Sequence, residues 1–346
     1  MVLWFTRAGL PAESASRPAS GVAGVILAAG RGRRLRPVTD DLAKPLVPVL
    51  NVPLLYWAAA ALRTAGVEGL VVNVHVRGDQ FEAAATALRD RHGVNLTLVR
   101  EDRLSGPAGG LAGCREALPD AECSVVVSGD AFTDLDLAAV VLAHRGSAAD
   151  LTIVATRVPD PHRFGVLRLR GTNVVGLDEK PPSASPDALV SCGIYVIQAT
   201  ALCLLDPSSH DAYDFKHVVP MLLAAGMSVH VYPTDTYWAD VGTVDSLRAT
   251  NLWALASVAV ARVARPRAVD AGTVWEQGPS HLGLGVRVQR RALIGADAVV
   301  GARAVLDNSV IGPAAQVGAG AIVSESVVMP GAVVPAGAVV DNEVVL

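Results

Sequence analysis

The chain has 346 residues, 51% of them hydrophobic, with 29 Lys and Arg against 33 Asp and Glu and a formal net charge of −4. That length suffices for two domains, and a near-balanced charge with no basic run beyond Arg31 to Arg36 argues against nucleic acid as a partner. The apolar residues are mostly Ala and Val interrupted by charges, so no run reaches membrane-spanning length, and four cysteines without Cys-x-x-Cys spacing argue against zinc or a disulfide framework.

Residues 1–22 carry Arg7, Glu13 and Arg17 among Ala, Ser and Pro and lack the apolar core of a signal peptide. They are expected to form a loose extension of a cytoplasmic protein. Gly24 to Ala28 is a short apolar run suited to a central parallel strand. The small residues Ala28, Ala29, Gly30 and Gly32 then let a ligand approach the backbone, whose N–H groups form an anion nest. Arg34 adds a planar charged fork and Lys44 a mobile point charge, so the segment can clamp a polyphosphate. It is neither a Walker A loop, which needs Lys and Ser or Thr after its last Gly, nor a dinucleotide fingerprint, which needs Gly where Leu35 stands.

Further strands are expected at Leu70 to Val76, Leu96 to Val99, Ser124 to Ser128, Leu151 to Thr156 and Ile194 to Ile197, with amphipathic helices at Leu54 to Ala65 and Gln80 to Arg91. That alternation predicts an α/β sandwich, Rossmann-like, with a mainly parallel sheet, whose ligands sit beyond the carboxyl ends of the strands. The Gly30 turn and Gly129-Asp130 both fall at such ends. A carboxylate there can hold Mg²⁺, which takes oxygen ligands together with substrate phosphates. On spacing alone Asp134 and Asp136 are equal candidates. Asp240 can be a second metal ligand or the cap of a helix near Val244 to Asn251.

The last part changes character. Ile294, Val300, Leu306, Ile311, Val317, Val323, Met329, Val334 and Val340 recur every six residues, with two intervals of five. This hexapeptide rhythm predicts a left-handed parallel β-helix of about three coils. The expected division is therefore an extension over 1–22, a catalytic domain over 23–252, a connector over 253–282 and the β-helix over 283–346.

Gly30-Arg-Gly32-Arg-Arg34-Leu35, Lys44-Pro45-Leu46, Gly129-Asp130, Asp178-Glu179-Lys180-Pro181 and Trp238-Ala-Asp240-Val-Gly242-Thr243 together resemble the signatures of sugar-1-phosphate nucleotidyltransferases, closest in pattern to mannose-1-phosphate guanylyltransferase-like members. The resemblance spans roughly Gly24 to Asn251. It implies a nucleoside triphosphate and a sugar-1-phosphate as substrates, Mg²⁺ as cofactor, and attack of the sugar phosphate on the α-phosphorus. It also implies that Leu27, Ala28, Ala29, Gly30, Gly32, Glu101, Gly106 and Gly109 bind the nucleotide and that Arg34, Lys44 and Lys180 act on the reacting phosphates. Asp130 and Asp240 are then the metal ligands, and Asp134 and Asp136 cap or begin the next helix.

Gly165, Glu179, Lys180 and Ser191 form the implied sugar-phosphate pocket. Glu179 can accept from hydroxyls while Lys180 neutralises phosphate. Ser191, in Ser191-Cys-Gly-Ile-Tyr195, stands where relatives commonly have Asn, so the resemblance leaves the sugar open. Glu101 stands where relatives read the base edge, which favours GTP, with ATP, dTTP and UTP as alternatives. The tail is expected to mediate self-association or allosteric contact. An acyltransferase role is disfavoured because no histidine follows His281, and a non-catalytic regulatory role because the cations and aspartates are all present.

Overall fold

The computed structural model describes residues 4–12, 21–67, 69–206, 208, 211–269 and 272–346. They divide into two compact units, Glu13–Arg31 with Ala58–Trp238, and Met1–Ala12 with Gly32–Trp57 and Ala239–Leu346. The division does not follow the linear order expected from the sequence, because the segment carrying Arg34 and Lys44 clusters with the tail.

The first unit is built on a nine-stranded sheet. In chain order its strands are β1 (Val22–Leu27), β2 (Leu70–Val74), β3 (Leu96–Arg100), β4 (Cys123–Ser128), β5 (Leu151–Arg157), β6 (Gly165–Arg170), β7 (Asn173–Glu179), β8 (Leu189–Gln198) and β9 (Val229–Pro233). The spatial order is β3-β2-β1-β4-β8-β5-β9-β7-β6. The first four strands are parallel, as the continuous apolar runs require of strands buried on both faces. Their register places Leu27 beside Asn73 on one side and Ser128 on the other, so three carboxyl ends lie abreast. Gly24 in β1 is required by packing: a Cβ there would lie 2.7 Å from Val67 Cγ1.

Beyond β4 the sheet is mixed rather than mainly parallel. The strand β8 runs antiparallel to both β4 and β5, and β7 pairs antiparallel with β6 and β9. Strand β8 is also longer than the apolar stretch Ile194 to Ile197 suggests, because Leu189 to Gly193 extends it with alternating burial, across a shift of pairing register between Ser191 and Tyr195. Val25, Val71, Val126, Ile153 and Phe215 belong to the core, each at 1% exposure or less and each contributing about 1.5–3 kcal/mol by burial. The helix at Leu137–Ser147 is capped by Asp136, whose carboxylate accepts from the N–H groups of Ala138 and Ala139.

In the second unit the tail forms three parallel sheets of six, four and four strands, the first carrying one antiparallel edge strand. His281 pairs with Val299, Val299 with Gln316 and Gln316 with Val333, a return after 17 or 18 residues that equals three hexads. Every hexad residue predicted to point inward is buried at 8% exposure or less. Gly301 and Gly318 lack a Cβ because one would lie 2.5 and 2.3 Å from backbone N atoms one return later. The repeat starts earlier than expected, since Thr273–Glu276 already pairs in parallel with Arg291–Ile294. The supposed connector therefore contains the end of the helix Val244–Ala256, a short 3₁₀ turn and the first strands of the repeat.

Residues 4–12 are not loose. Phe5 is 1% exposed, Ala12 N–H donates to Arg262 O at 3.0 Å, and Arg262 Nε donates back to Ala12 O at 2.9 Å. The charged residues Glu13 and Arg17 lie outside the described residues. All four cysteines are free, three buried and Cys203 exposed. Among the described residues no helix is long and apolar enough to cross a membrane.

Candidate functional site

In the sheet unit the predicted nucleotide residues gather at the carboxyl ends of β1 to β4. Ala28 N–H donates to Asn73 Oδ1 at 2.7 Å. Gly30 is exposed, with nothing within 4 Å of a hypothetical Cβ, so its surface is open to a ligand. Gly129 N–H donates to Leu27 O at 2.8 Å, and a Cβ on Gly129 would press on that same oxygen at 3.1 Å. This holds Asp130 close beside the end of β1.

Glu101 is engaged on both oxygens. Oε1 accepts from Asn73 Nδ2, and Oε2 from Ser105 N at 3.2 Å and Ser105 Oγ at 3.1 Å. A carboxylate offers about four acceptor positions, so roughly one is left for a base N–H. Guanine, thymine and uracil each present one ring N–H, and Glu101 so placed does not by itself select guanine. Gly106, at φ 82°, has Tyr213 O within 2.3 Å of a Cβ, and Gly109 has Ser105 Oγ at 2.6 Å. These glycines are needed for packing within the loop as well as for ligand approach.

The sugar-phosphate candidates cluster at β6, β7 and β8. Lys180 follows β7 in the left-handed region at φ 46°, uncommon for a non-glycine residue. Its Nζ donates to Glu179 Oε1 at 2.6 Å, and a Cβ on Gly165 would lie 3.1 Å from Glu179 Oε2. Ser191 Oγ donates to Tyr195 Oη at 3.1 Å and accepts from Gly193 N–H at 3.2 Å, so its hydroxyl is used within its own strand. Tyr195 stacks on Phe215 with centroids 3.6 Å apart, and burial pushes its phenol up. Burial also pushes the thiols of Cys192 and Cys114 up to about 12, the Glu101 charge adding to the second. Neither is a thiolate nucleophile at neutral pH.

In the second unit two cations meet one carboxylate. Lys44, 7% exposed, places Nζ 3.1 Å from Asp240 Oδ1, while Arg34 places Nη2 3.5 Å from Oδ2. Gly242 makes room, since a Cβ there would lie 3.1 Å from Asp240 Oδ2 and 3.2 Å from Arg34 Nη2. Gly32, at φ 65°, packs against Thr39 and Lys44, and Thr39 Oγ1 donates to Gly32 O at 2.8 Å. Asp240 is not the helix cap; Thr243 fills that role in a capping box with Ser246. A cavity of about 660 Å³ in the same unit is lined by Trp4, Val38, Met329 and Leu346 among others and by none of the predicted site residues.

Sequence reasoning missed Asn73 and His75. Asn73 is a polar residue, 3% exposed, in an otherwise apolar strand, and a buried amide needs partners. That was the available signal. Its partners, 45 and 28 residues away along the chain, were not readable.

Comparison with known proteins agrees with these motifs. The family model described as Nucleotidyl transferase matches residues 23–256. A mannose-1-phosphate guanyltransferase of Yarrowia lipolytica is 32% identical over 63% of this chain and 60% of its own length, so the chain spans about three fifths of that relative. A glucose-1-phosphate thymidylyltransferase of Streptomyces griseus is 30% identical over 76% of this chain and 78% of its own. A crystal structure from Bacillus anthracis, assigned as a glucose-1-phosphate thymidylyltransferase in complex with sucrose, superposes with a TM-score of 0.61 at 25% identity, covering 67% of this chain and 95% of that one.

Proposed function

Because the chain belongs to the nucleotidyl transferase family, we propose that it joins a sugar-1-phosphate, or a sugar-like cyclitol phosphate, to a nucleoside triphosphate, forming a nucleotide sugar and releasing pyrophosphate. The observation that carries this reading is the Lys44–Asp240–Arg34 cluster. A lysine as buried as Lys44 is costly unless paired. Asp240 neutralises it, and a triphosphate offers both cations oxygens of the same charge type.

In this reading the Gly30 turn and Arg34 hold the β and γ phosphates, and Lys44 and Lys180 bracket the reacting phosphates. The nucleophile is a phosphate monoester with a second pKa of about 6, already an anion, so no general base is required. Acceleration comes from positioning and charge neutralisation. Asp130 and Asp240 supply carboxylate oxygens, the donors that suit Mg²⁺ in a site shared with phosphates. Bound there, the ion would supply positive charge that polarises the α-phosphate.

GTP remains the favoured base on resemblance. Similarity to both a guanyltransferase and a thymidylyltransferase supports keeping dTTP beside it, with UTP and ATP as the further alternatives. The 17- or 18-residue return of the tail strands supports a parallel β-helix, which this reading takes as left-handed and as serving self-association or allosteric contact. The test is pyrophosphate release over a matrix of the four triphosphates and several sugar-1-phosphates. One pair should dominate; no release from any pair at millimolar Mg²⁺ overturns the reading.

A further inference from the structure

Asn73 near the carboxyl end of β2 and His75 just beyond it meet the loops implicated in nucleotide binding. Asn73 Oδ1 accepts the Ala28 N–H, and because that N–H can only donate, the orientation of the amide is fixed. Its Nδ2 is thereby turned to Glu101 Oε1. His75 Nδ1 lies 2.9 Å from Glu101 O, a carbonyl that can only accept, so Nδ1 carries the hydrogen. In that tautomer Nε2 accepts from Arg31 Nη2 at 3.3 Å. Both side chains thus bridge the same two segments: the turn at Ala28 to Arg31 and the loop that begins at Glu101.

The loop end of this bridge is closely packed. A Cβ on Gly110 would lie 2.3 Å from Asn73 Nδ2 and 2.6 Å from Glu101 Oε1. Ser105, bonded to Glu101 through N and Oγ, accepts Tyr213 N–H on its carbonyl at 2.7 Å. Tyr213 O in turn accepts from Ala108 N at 3.1 Å. Asn73 stands at the centre of this network and is the one side chain in it that bonds directly to both Ala28 and the Glu101 carboxylate.

We infer that Asn73, assisted by His75, is a positioning residue that fixes the distance between the triphosphate turn and the base loop, and so sharpens the choice of nucleoside triphosphate. This rests on the nucleotidyl-transfer reading above. The physical reason is that a base hydrogen bond discriminates only when its acceptor is held still. Glu101 has one acceptor position to spare, and Asn73 decides where that position points.

The test compares Asn73→Ala and Asn73→Asp with the wild type in steady-state pyrophosphate release, using GTP, dTTP, UTP and ATP. Asn73→Ala removes both bonds. The KM for the preferred triphosphate should rise at least about tenfold, the value for losing one buried hydrogen bond. The spread of kcat/KM among the four triphosphates should narrow, while the KM for the sugar phosphate stays within about twofold. Asn73→Asp keeps an acceptor for Ala28 N–H but sets a carboxylate against Glu101. The same rise in KM and the same narrowing among triphosphates should then appear in Asn73→Asp, because like charges opposite each other push the Glu101 carboxylate from its place. His75→Ala should raise the same KM less, about two- to threefold.

A wild type that releases no pyrophosphate from any pair defeats the parent reading. An active wild type with Asn73→Ala unchanged in triphosphate KM and in base ratios defeats the inference alone. So does a loss that falls equally on both substrates with a lowered melting temperature. Should Asn73→Ala not fold, the near-isosteric Asn73→Asp decides the matter.

Discussion

The ion-paired groups of the proposed site and the brace around Glu101 are built on different rules. Lys44 and Arg34 meet Asp240 as opposite charges at 3.1 and 3.5 Å, and Lys180 leans on the neighbouring Glu179 in an exposed pair. Asn73, Glu101, Ser105 and Tyr213 are joined by directed hydrogen bonds in a space where even a methyl on Gly110 does not fit. Groups that must trade partners when phosphate arrives are held by charge, which any anion can replace. Groups that must stay still are held by geometry, which nothing else reproduces.

The largest expected effect is on turnover and falls on the charged set. Asp130 is half-buried and follows Gly129 at the end of β4. Asp130→Asn should cut pyrophosphate release by about 10²–10³-fold, the scale of losing one preorganised electrostatic contact, and leave the melting temperature near that of the wild type. Near-normal turnover at ordinary Mg²⁺ would remove Asp130 from the metal-binding role.

Next comes Lys44→Met, which keeps the length of the side chain and deletes the buried charge. Turnover should fall about 10²-fold. Stability should fall only modestly, because the loss expected on removing one partner of a buried ion pair is limited here by the partial exposure of Asp240 and by Arg34, which continues to face it. A large loss of stability in calorimetry would show that Lys44 belongs with the rigid brace instead.

Residue chemistry also decides what could be read from the sequence. The charged set was legible because Gly32, Arg34, Lys44, Asp130 and Asp240 sit in short patterns that fix both chemistry and spacing. The tail was legible for a related reason, since a hexad rhythm carries its own register and every predicted inward residue is buried. The brace was not. Its bonds join Ala28, Asn73, Glu101, Ser105 and Tyr213 across separate elements, and no local pattern signals an amide shared between distant loops. The mixed half of the sheet was hidden for a similar reason, because Ser191 and Gly193 interrupt the apolar run of β8 and the partners of β7 are set by tertiary pairing. The early start of the repeat at Thr273 was masked by the prolines and glycines around it.

Gly110→Ala strikes the brace directly. The added methyl must displace Asn73 Nδ2 or Glu101 Oε1, and overpacking of this kind costs about 1–3 kcal/mol. Urea denaturation should show that loss, together with a raised KM for the triphosphate and little change in KM for the sugar phosphate. Equal effects on both substrates would mean that the brace is general scaffolding rather than part of the nucleotide half.

The smallest effect on stability is expected at Lys180, where the two rules separate within one residue. Its backbone stands at φ 46°, which costs an L-residue roughly 1–2 kcal/mol, and its ion pair with Glu179, 63% exposed on the lysine side, contributes less than about 1 kcal/mol. Lys180→Gly removes the backbone strain, though the freer unfolded chain offsets part of the gain by about 0.4–1 kcal/mol. The melting temperature should therefore hold or rise slightly, while the KM for the sugar phosphate increases and that for the triphosphate does not. A strained lysine whose removal leaves the fold intact and weakens one substrate alone is kept for charge placement. A fall in stability without that kinetic split would instead make the Glu179–Lys180 pair a piece of the fold.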